Sequence, residues 1–304
     1  MHNELLKIGS ITIYGYGLMI AIGILAAYLV AEYRAKRKGL DSEPVFSIMI
    51  CAVVCGFAGA KLLYYITILD EIIKDPHVLV TDLADGFVVY GGIIAGILCT
   101  ALFCRIKKLS FLSYMDLILP SVALAQGFGR IGCFLAGCCY GVETDSAFSV
   151  TFHDSAYAPN GVALFPSQLV SSGLDFIHFA VLCVVAKKNK TPGRIGALYL
   201  IFYSIGRFCI EFFRGDLLRG SVGTLSTSQF ISIFVAIAGA IMYGVLSLHK
   251  AENTDTDHTH DDAGKEYAKH NSQYAGFKIH IQYAGGQCAS PCSGSRNRDS
   301  HKEQ

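Results

Sequence analysis

Charged side chains inside apolar stretches are the features of this sequence best suited to chemistry. Arg130 stands among Gly127, Gly129 and Gly132 in such a stretch, with no acidic residue at helical spacing. An ionisable group within a membrane span is costly and is therefore a functional candidate. The guanidinium fork matches phosphate oxygens, and glycines let a ligand approach the backbone closely. Since lipid headgroups are the anions available at that depth, we predict a site for an acidic lipid.

A second charged group stands in a later apolar stretch. Arg207 and Glu211 are four residues apart and so share one helix face, and Arg214 follows where the stretch ends. The pair could serve the same site as Arg130. It could equally be an internal ion pair that only neutralises both charges.

Three cysteines follow Arg130 near the end of its stretch, namely Cys133, Cys138 and Cys139. A redox pair or a metal site is one interpretation. However, adjacent cysteines lack the usual spacing of zinc ligands, and no histidine is close in sequence. The expectation is therefore small apolar side chains without a metal.

Seven apolar stretches must position these residues. They cover residues 11–33, 45–69, 87–104, 113–137, 166–186, 195–213 and 225–248. Each is long enough to cross a bilayer as a helix. Lipid forms no hydrogen bonds with backbone N–H and C=O groups, so these stretches must form helices, which satisfy those groups internally. The predicted fold class is all-α, a polytopic membrane protein with about seven transmembrane helices.

Basic clusters predict the orientation of these helices. They follow the first, third, fifth and seventh stretches, so the positive-inside rule places the N-terminus outside and the C-terminus in the cytoplasm. Residues 1–250 are predicted to form the membrane domain. Residues 251–304 are polar without apolar periodicity, which predicts a disordered cytoplasmic tail.

Composition excludes several other classes of protein. Hydrophobic residues make up 52% of the chain and charged residues only 16%, whereas soluble domains carry about 25% charged residues. The net charge is +1, so nothing points to nucleic acid as a partner. A soluble enzyme and a disordered regulator are disfavoured as well.

Five short motifs stand in order along the chain. They are Tyr16-Gly17-Leu18, Tyr90-Gly91-Gly92, the run from Gly127 to Phe134 closed by Gly141, Pro166-Ser167-Gln168, and the run from Tyr203 to Phe208 with Glu211 and Arg214. In these motifs the chain resembles the bacterial prolipoprotein diacylglyceryl transferases, over about residues 8–248.

The resemblance implies a reaction and its partners. Such enzymes transfer a diacylglyceryl group from phosphatidylglycerol to the thiol of the lipobox cysteine of prolipoproteins, the first step of lipoprotein maturation, and release glycerol phosphate. The expected location is the bacterial cytoplasmic membrane. The expected partners are phosphatidylglycerol, prolipoprotein signal peptides and the bilayer. No cofactor or metal is expected, because arginines supply the positive charge.

The resemblance also implies roles for particular residues. Arg130 would hold the lipid phosphate, Arg207 would be the second essential arginine, and Tyr90 would be a candidate for accepting the thiol proton. The further substrate-binding candidates are Tyr16, Gly91, Gly92, Gln168, Glu211 and Arg214.

The sequence departs from the family pattern at several of these points. Tyr90 replaces a histidine, and a tyrosine is the poorer base at neutral pH. Cys133 replaces an asparagine and Cys138 an acidic residue. The remaining departures are Lys61 for an arginine, Ala136 for an asparagine, and Val170 and Ser171 for a tyrosine and a glutamate. Two alternatives therefore stay open: a paralogous membrane lipid transferase with another acceptor, and a non-catalytic lipid-binding or transport protein.

Overall fold

The computed structural model describes residues 4–8, 11–81, 83, 86–216 and 221–248. The predicted tail, residues 251–304, lies outside the described residues. Its disorder and the division of the chain into two domains therefore stay predictions.

Helices make up most of the described chain, which confirms the all-α class. Their bounds are α1 (Gly15–Lys38), α2 (Glu43–Thr67), α3 (Leu69–Lys74), α4 (Val78–Thr81), α5 (Val89–Ile106), α6 (Phe111–Ala136), α7 (Ser167–Lys188), α8 (Arg194–Glu211) and α9 (Thr227–Leu248). Among the described residues, six helices are long and apolar enough to cross a membrane: α1, α2, α5, α6, α7 and α9. The chain is thus a multi-pass membrane protein.

Helix α8, which corresponds to the sixth predicted span, is not among these six. Its 18 residues include the charged side chains of Arg194, Arg207 and Glu211. The count of seven spans and the orientation of the termini stay predictions.

Short antiparallel strand pairs flank some of the helices. They are β1 (Glu4–Ile8) with β2 (Ile11–Tyr14), β3 (Val150–Thr151) with β4 (Ala163–Leu164), and β5 (Ser221–Val222) with β6 (Leu225–Ser226). The predicted helical starts at residues 11 and 225 are therefore wrong by a few residues. The first error has a local cause, because residues 11–13 are all β-branched and favour a strand.

The helices pack in two groups that share α6. One hydrophobic cluster joins α1, α2, α5 and α6 and includes Ala35, Ile48, Cys104 and Leu117. Another joins α6 to α7 and α8 through Ala123, Leu182, Ile195 and Tyr199. Helix α6 therefore lies between the two groups, and it carries Arg130 on its second half.

The carboxylate of Asp116 connects α6 to the start of α8. The backbone N–H groups of Gly193 and Gly196 each donate a hydrogen bond to this carboxylate at 2.8 Å, and Asp116 is only 3% exposed. The first N–H groups of a helix have no partner within the helix. Asp116 therefore caps α8 from a distant part of the chain and fixes where α8 begins.

We expect Asp116→Ala to destabilise the fold by about 3 kcal/mol, since two buried N–H groups would lose a charged acceptor. Thermal unfolding in detergent would measure this loss. Asp116→Asn should lose less, because its amide oxygen still accepts a hydrogen bond. Asp145→Ala, in an exposed loop, is the control and should leave the midpoint unchanged. An Asp116→Ala protein as stable as this control would contradict the capping role.

Candidate functional site

A small cavity of about 50 Å³ lies between α6, α7 and α8. It is lined by Arg130 of α6, by Ser171, Leu174, Asp175 and His178 of α7, and by Phe202, Tyr203, Gly206, Arg207 and Ile210 of α8. The structure therefore brings together Arg130 and Arg207, the two arginines that the sequence singled out.

The guanidinium of Arg130 is half-buried in this lining. Among the described residues, no hydrogen bond or ion pair reaches it. Asp175 on α7 and Tyr203 on α8 lie within electrostatic reach across the cavity. The acidic residue that is missing along α6 is thus supplied by another helix, yet it forms no direct ion pair with Arg130. This leaves the fork of donors on Arg130 open to an anion.

Glu211 lies between two arginines. Its carboxylate is 2.6 Å from the Arg207 guanidinium and 3.9 Å from that of Arg214. Arg207 also donates to the hydroxyl of Ser228 at 2.8 Å, and Arg214 donates two hydrogen bonds to Asp216 at 2.9 and 2.7 Å. The internal ion pair considered from the sequence is therefore formed, and Arg207 lines the cavity as well.

The loop that follows α6 docks on the segment that follows α8. The Val142 N–H donates to the Phe213 carbonyl at 3.0 Å, and the Gly215 N–H donates to the Tyr140 carbonyl at 3.1 Å. A Cβ on Gly141 would lie 2.3 Å from the Phe165 carbonyl oxygen, so only glycine fits there. This docking holds the buried Arg214 beside Glu211. It also explains why the motif ends with a glycine at position 141.

The first residues of α7 hold the cysteine loop. The Ser167 hydroxyl donates to the Cys139 carbonyl and the Gln168 amide to the Cys138 carbonyl, each at 2.9 Å. Gln168 is completely buried. Its hydrogen bond therefore positions the loop, and its predicted contact with substrate stays a prediction.

Tyr16, the second residue of α1, lies at the cysteine end of α6. A Cβ on Gly132 would lie 3.2 Å from the Tyr16 ring. The Tyr16 hydroxyl is within electrostatic reach of Arg130 and of the three cysteines. The structure thus places Tyr16 close to the predicted lipid site.

The predicted site residues of α5 lie outside the cavity lining. Tyr90 is exposed near the start of α5. A Cβ on Gly91 would lie 2.3 Å from the Gly59 carbonyl oxygen, and one on Gly92 would lie 2.9 Å from that of Gly56. Both glycines thus pack α5 against α2, as small residues do between membrane helices. Their substrate roles, and that of Tyr90, stay predictions.

Sequence reasoning did not assign a polar stripe on α7 to the site. Ser171, Asp175 and His178 all line the cavity, and the His178 ring stacks on Tyr199 at 5.0 Å between centroids. Spacings of four and then three residues place these side chains on one face of the helix. Polar residues on one face of an apolar stretch are a sequence signal that could have predicted this part of the site.

These features define a class: a multi-pass helical membrane protein whose charged residues surround a small cavity. The family model for prolipoprotein diacylglyceryl transferase matches residues 3–245. The chain belongs to this family, which confirms the resemblance read from its motifs. Membership also makes it a transferase of the cytoplasmic membrane.

Curated relatives match the chain over nearly their whole length. A phosphatidylglycerol–prolipoprotein diacylglyceryl transferase of Clostridium tetani is 46% identical over 245 residues, covering 81% of this chain and 98% of the relative. A second, from Clostridium perfringens, is 45% identical and covers 82% and 96%. One from Clostridioides difficile is 32% identical and covers 80% and 95%.

The glycines around Arg130 can be sorted by experiment. A Cβ on Gly127 would lie 2.5 Å from the Phe176 ring, whereas a Cβ on Gly129 would meet nothing within 4 Å. We expect Gly127→Ala to cost about 1–3 kcal/mol in thermal unfolding, because Phe176 must shift. Gly129→Ala should leave stability unchanged or raise it slightly. Equal losses for the two variants would contradict this assignment.

Proposed function

We propose that this chain transfers a diacylglyceryl group from phosphatidylglycerol to the thiol of the lipobox cysteine of prolipoproteins and releases glycerol phosphate. The observation that carries the proposal is Arg130. It has no direct partner among the described residues, and it shares a cavity with Arg207 in a chain of this family.

The charges around the cavity favour Arg130 as the group that holds the lipid phosphate. Arg207 is compensated by Glu211 at 2.6 Å, and Arg214 is compensated by Asp216 at 2.7 Å. Within the described part of the chain, the carboxylate that acts on Arg130 is that of Asp175, which forms no direct ion pair with it. An incoming phosphate therefore gains most at Arg130, and Arg207 adds positive charge from the opposite wall.

Apolar side chains of the same lining support a lipid as the donor. Leu174 is 42% exposed and Phe202 is 40% exposed, although both also line the cavity. The cavity, at about 50 Å³, is too small to enclose a diacyl lipid. We infer that the headgroup reaches towards Arg130 while the acyl chains stay outside, against these apolar side chains.

The transfer joins the acceptor sulfur to a glyceryl carbon. The thiolate attacks that carbon, the bond between carbon and phosphate oxygen breaks, and glycerol phosphate leaves with the electron pair. The positive charge of Arg130 and Arg207 stabilises the negative charge that builds up on the leaving oxygen. Tyr90 and the departing phosphate are the candidates for taking up the thiol proton.

Arg130→Ala is expected to lower transfer by about 10²–10³, the usual effect of removing one donor to a developing oxyanion. Arg130→Lys should recover only part of the rate, because it keeps the charge but loses the fork. The assay mixes purified protein, phosphatidylglycerol and a fluorescent lipobox peptide, and follows the peptide mass.

Arg105→Ala provides the control for this experiment. Arg105 is an exposed arginine at the end of α5, so its loss should leave the rate unchanged. Full activity of a folded Arg130→Ala protein would contradict the site. No transfer by the unaltered protein, although it binds phosphatidylglycerol, would favour a lipid-binding protein without this chemistry.

A lipobox peptide with serine in place of its cysteine separates the first alternative from the proposal. We expect no mass gain with this peptide, because a hydroxyl does not form the thiolate that attacks. Mass spectrometry of both peptides in the same assay provides the comparison. Diacylglyceryl transfer to the serine peptide would instead indicate a transferase whose acceptor is not a thiol.

A further inference from the structure

The three cysteines that follow Arg130 come together in space. The sulfur atoms of Cys133, Cys138 and Cys139 all lie within 4.8 Å of one another, and Cys133 is more deeply buried than the half-buried Cys138 and Cys139. Three thiolates on one tetrahedral Zn²⁺ would stand about 3.8 Å apart, given a Zn–S distance of about 2.3 Å. Small side-chain rotations would therefore let this thiol cluster hold one thiophilic cation.

The backbone at the end of α6 explains why the thiols meet. Gly137 adopts a left-handed conformation with φ 74°, and its N–H donates to the Phe134 carbonyl. The Cys138 N–H donates to the Cys133 carbonyl at 3.1 Å. This is the Schellman arrangement, which folds the residue after the glycine back onto the last turn of the helix. Cys138 is thereby brought onto Cys133.

The thiol of Cys139 is positioned by a second unusual backbone turn. Cys139 has φ 59°, a region that residues other than glycine rarely adopt. The hydrogen bonds from Ser167 and Gln168 to the carbonyls of Cys139 and Cys138 hold this turn in place. Groups that fix ligand orientation in this way are a regular part of metal sites.

Positively charged side chains lie near the thiol cluster. Three thiolates and one divalent cation have a net charge of −1. Cys139 lies within electrostatic reach of both Arg130 and Arg214. A divalent cation would offset the negative charge of three thiolates held this close together.

We propose that the thiol cluster binds a thiophilic divalent cation such as Zn²⁺, and that the acceptor thiol occupies the fourth ligand position. Three protein ligands with one open position are the arrangement of catalytic zinc sites. A thiol that coordinates such a cation is deprotonated. The inference rests on the proposed transfer, and it departs from the sequence-based expectation that no metal is needed.

The cation would act only on the nucleophile. The acceptor thiol binds as a thiolate, and its proton passes to water. Its sulfur lone pair then forms the bond to the glyceryl carbon while the carbon–oxygen bond breaks, and the departing glycerol phosphate keeps that electron pair. No electron is gained or lost overall. Cys133 stands one helical turn after Arg130, so nucleophile and lipid phosphate would lie side by side.

Such a cation would also lessen the demand on Tyr90. Tyr90 is a candidate for taking up the thiol proton, and a tyrosine is a poorer base at neutral pH than a histidine. A bound cation lowers the proton affinity of the acceptor thiol directly, so a strong base at the position of Tyr90 becomes unnecessary.

The first test uses the full chain, purified under reducing conditions, supplied with Zn²⁺ and freed of excess metal. Mass spectrometry of the metal should find about one Zn²⁺ per chain. Cys138→Ser should lose most of it. Cys183→Ser, a half-buried cysteine of α7 outside the cluster, is the matched control and should keep it.

The absorption spectrum of bound Co²⁺ identifies the metal ligands and does not depend on diacylglyceryl transfer. Co²⁺ bound to the unaltered protein should show sulfur-to-metal charge-transfer bands and tetrahedral ligand-field bands. The lipobox peptide should change these bands, and the peptide with serine in place of cysteine should not. Removing the metal with a chelator should slow transfer about 30-fold at pH 7, because a free thiol is then only a few per cent ionised. Zn²⁺ should restore the rate.

Several outcomes would overturn the proposal. One is a reduced, folded protein that binds no stoichiometric metal. Another is a disulfide within the cluster that forms in place of metal binding. A third is metal-free protein that transfers at the full rate, which would leave the proposed function standing. Metal and peptide thiol bound together without transfer would instead support the metal site and count against the proposed function.

Discussion

The hydrogen bonds from the first N–H groups of α8 to the Asp116 carboxylate fix α8 against α6. They place a charged acceptor and two open backbone donors together where neither has water as a substitute. Because they fix the start of α8 against α6, they also fix the side chains farther along α8. Arg207 therefore reaches the same cavity as Arg130, and the candidate site exists only in that arrangement.

The opposite end of α6 depends on a second set of backbone contacts. The loop after α6 is held by Ser167 and Gln168 at its start and by the strand-like contacts of Gly141 with Arg214 farther on. These contacts hold the three thiols near the proposed lipid site and hold Arg214 beside Glu211. The two halves of the proposed chemistry, phosphate binding and thiol activation, thus meet at one end of a single helix.

The charge balance explains why similar residues have different tasks. Arg207 and Arg214 have carboxylate partners within ion-pair distance, so they give the site a fixed and compensated field. Arg130 faces Asp175 only at longer range, so it retains donors for a ligand. Tyr90, Gly91 and Gly92 belong to the α2–α5 pair, where the two glycines pack the helices closely. The motifs therefore combine candidate site residues with residues that hold helices together.

The amino-acid sequence alone predicts the all-α membrane class, the approximate helices, the Arg207–Glu211 pair and Arg130 as a candidate site residue. These follow from hydropathy and helical spacing, which act within one segment. The capping by Asp116, the packing of Gly91 on Gly59 and the approach of the polar face of α7 to Arg130 depend on the tertiary structure. The same holds for the meeting of Cys133 with Cys139. Each joins segments or turns whose separation along the chain carries no periodic signal, so their partners appear only when the helices have packed.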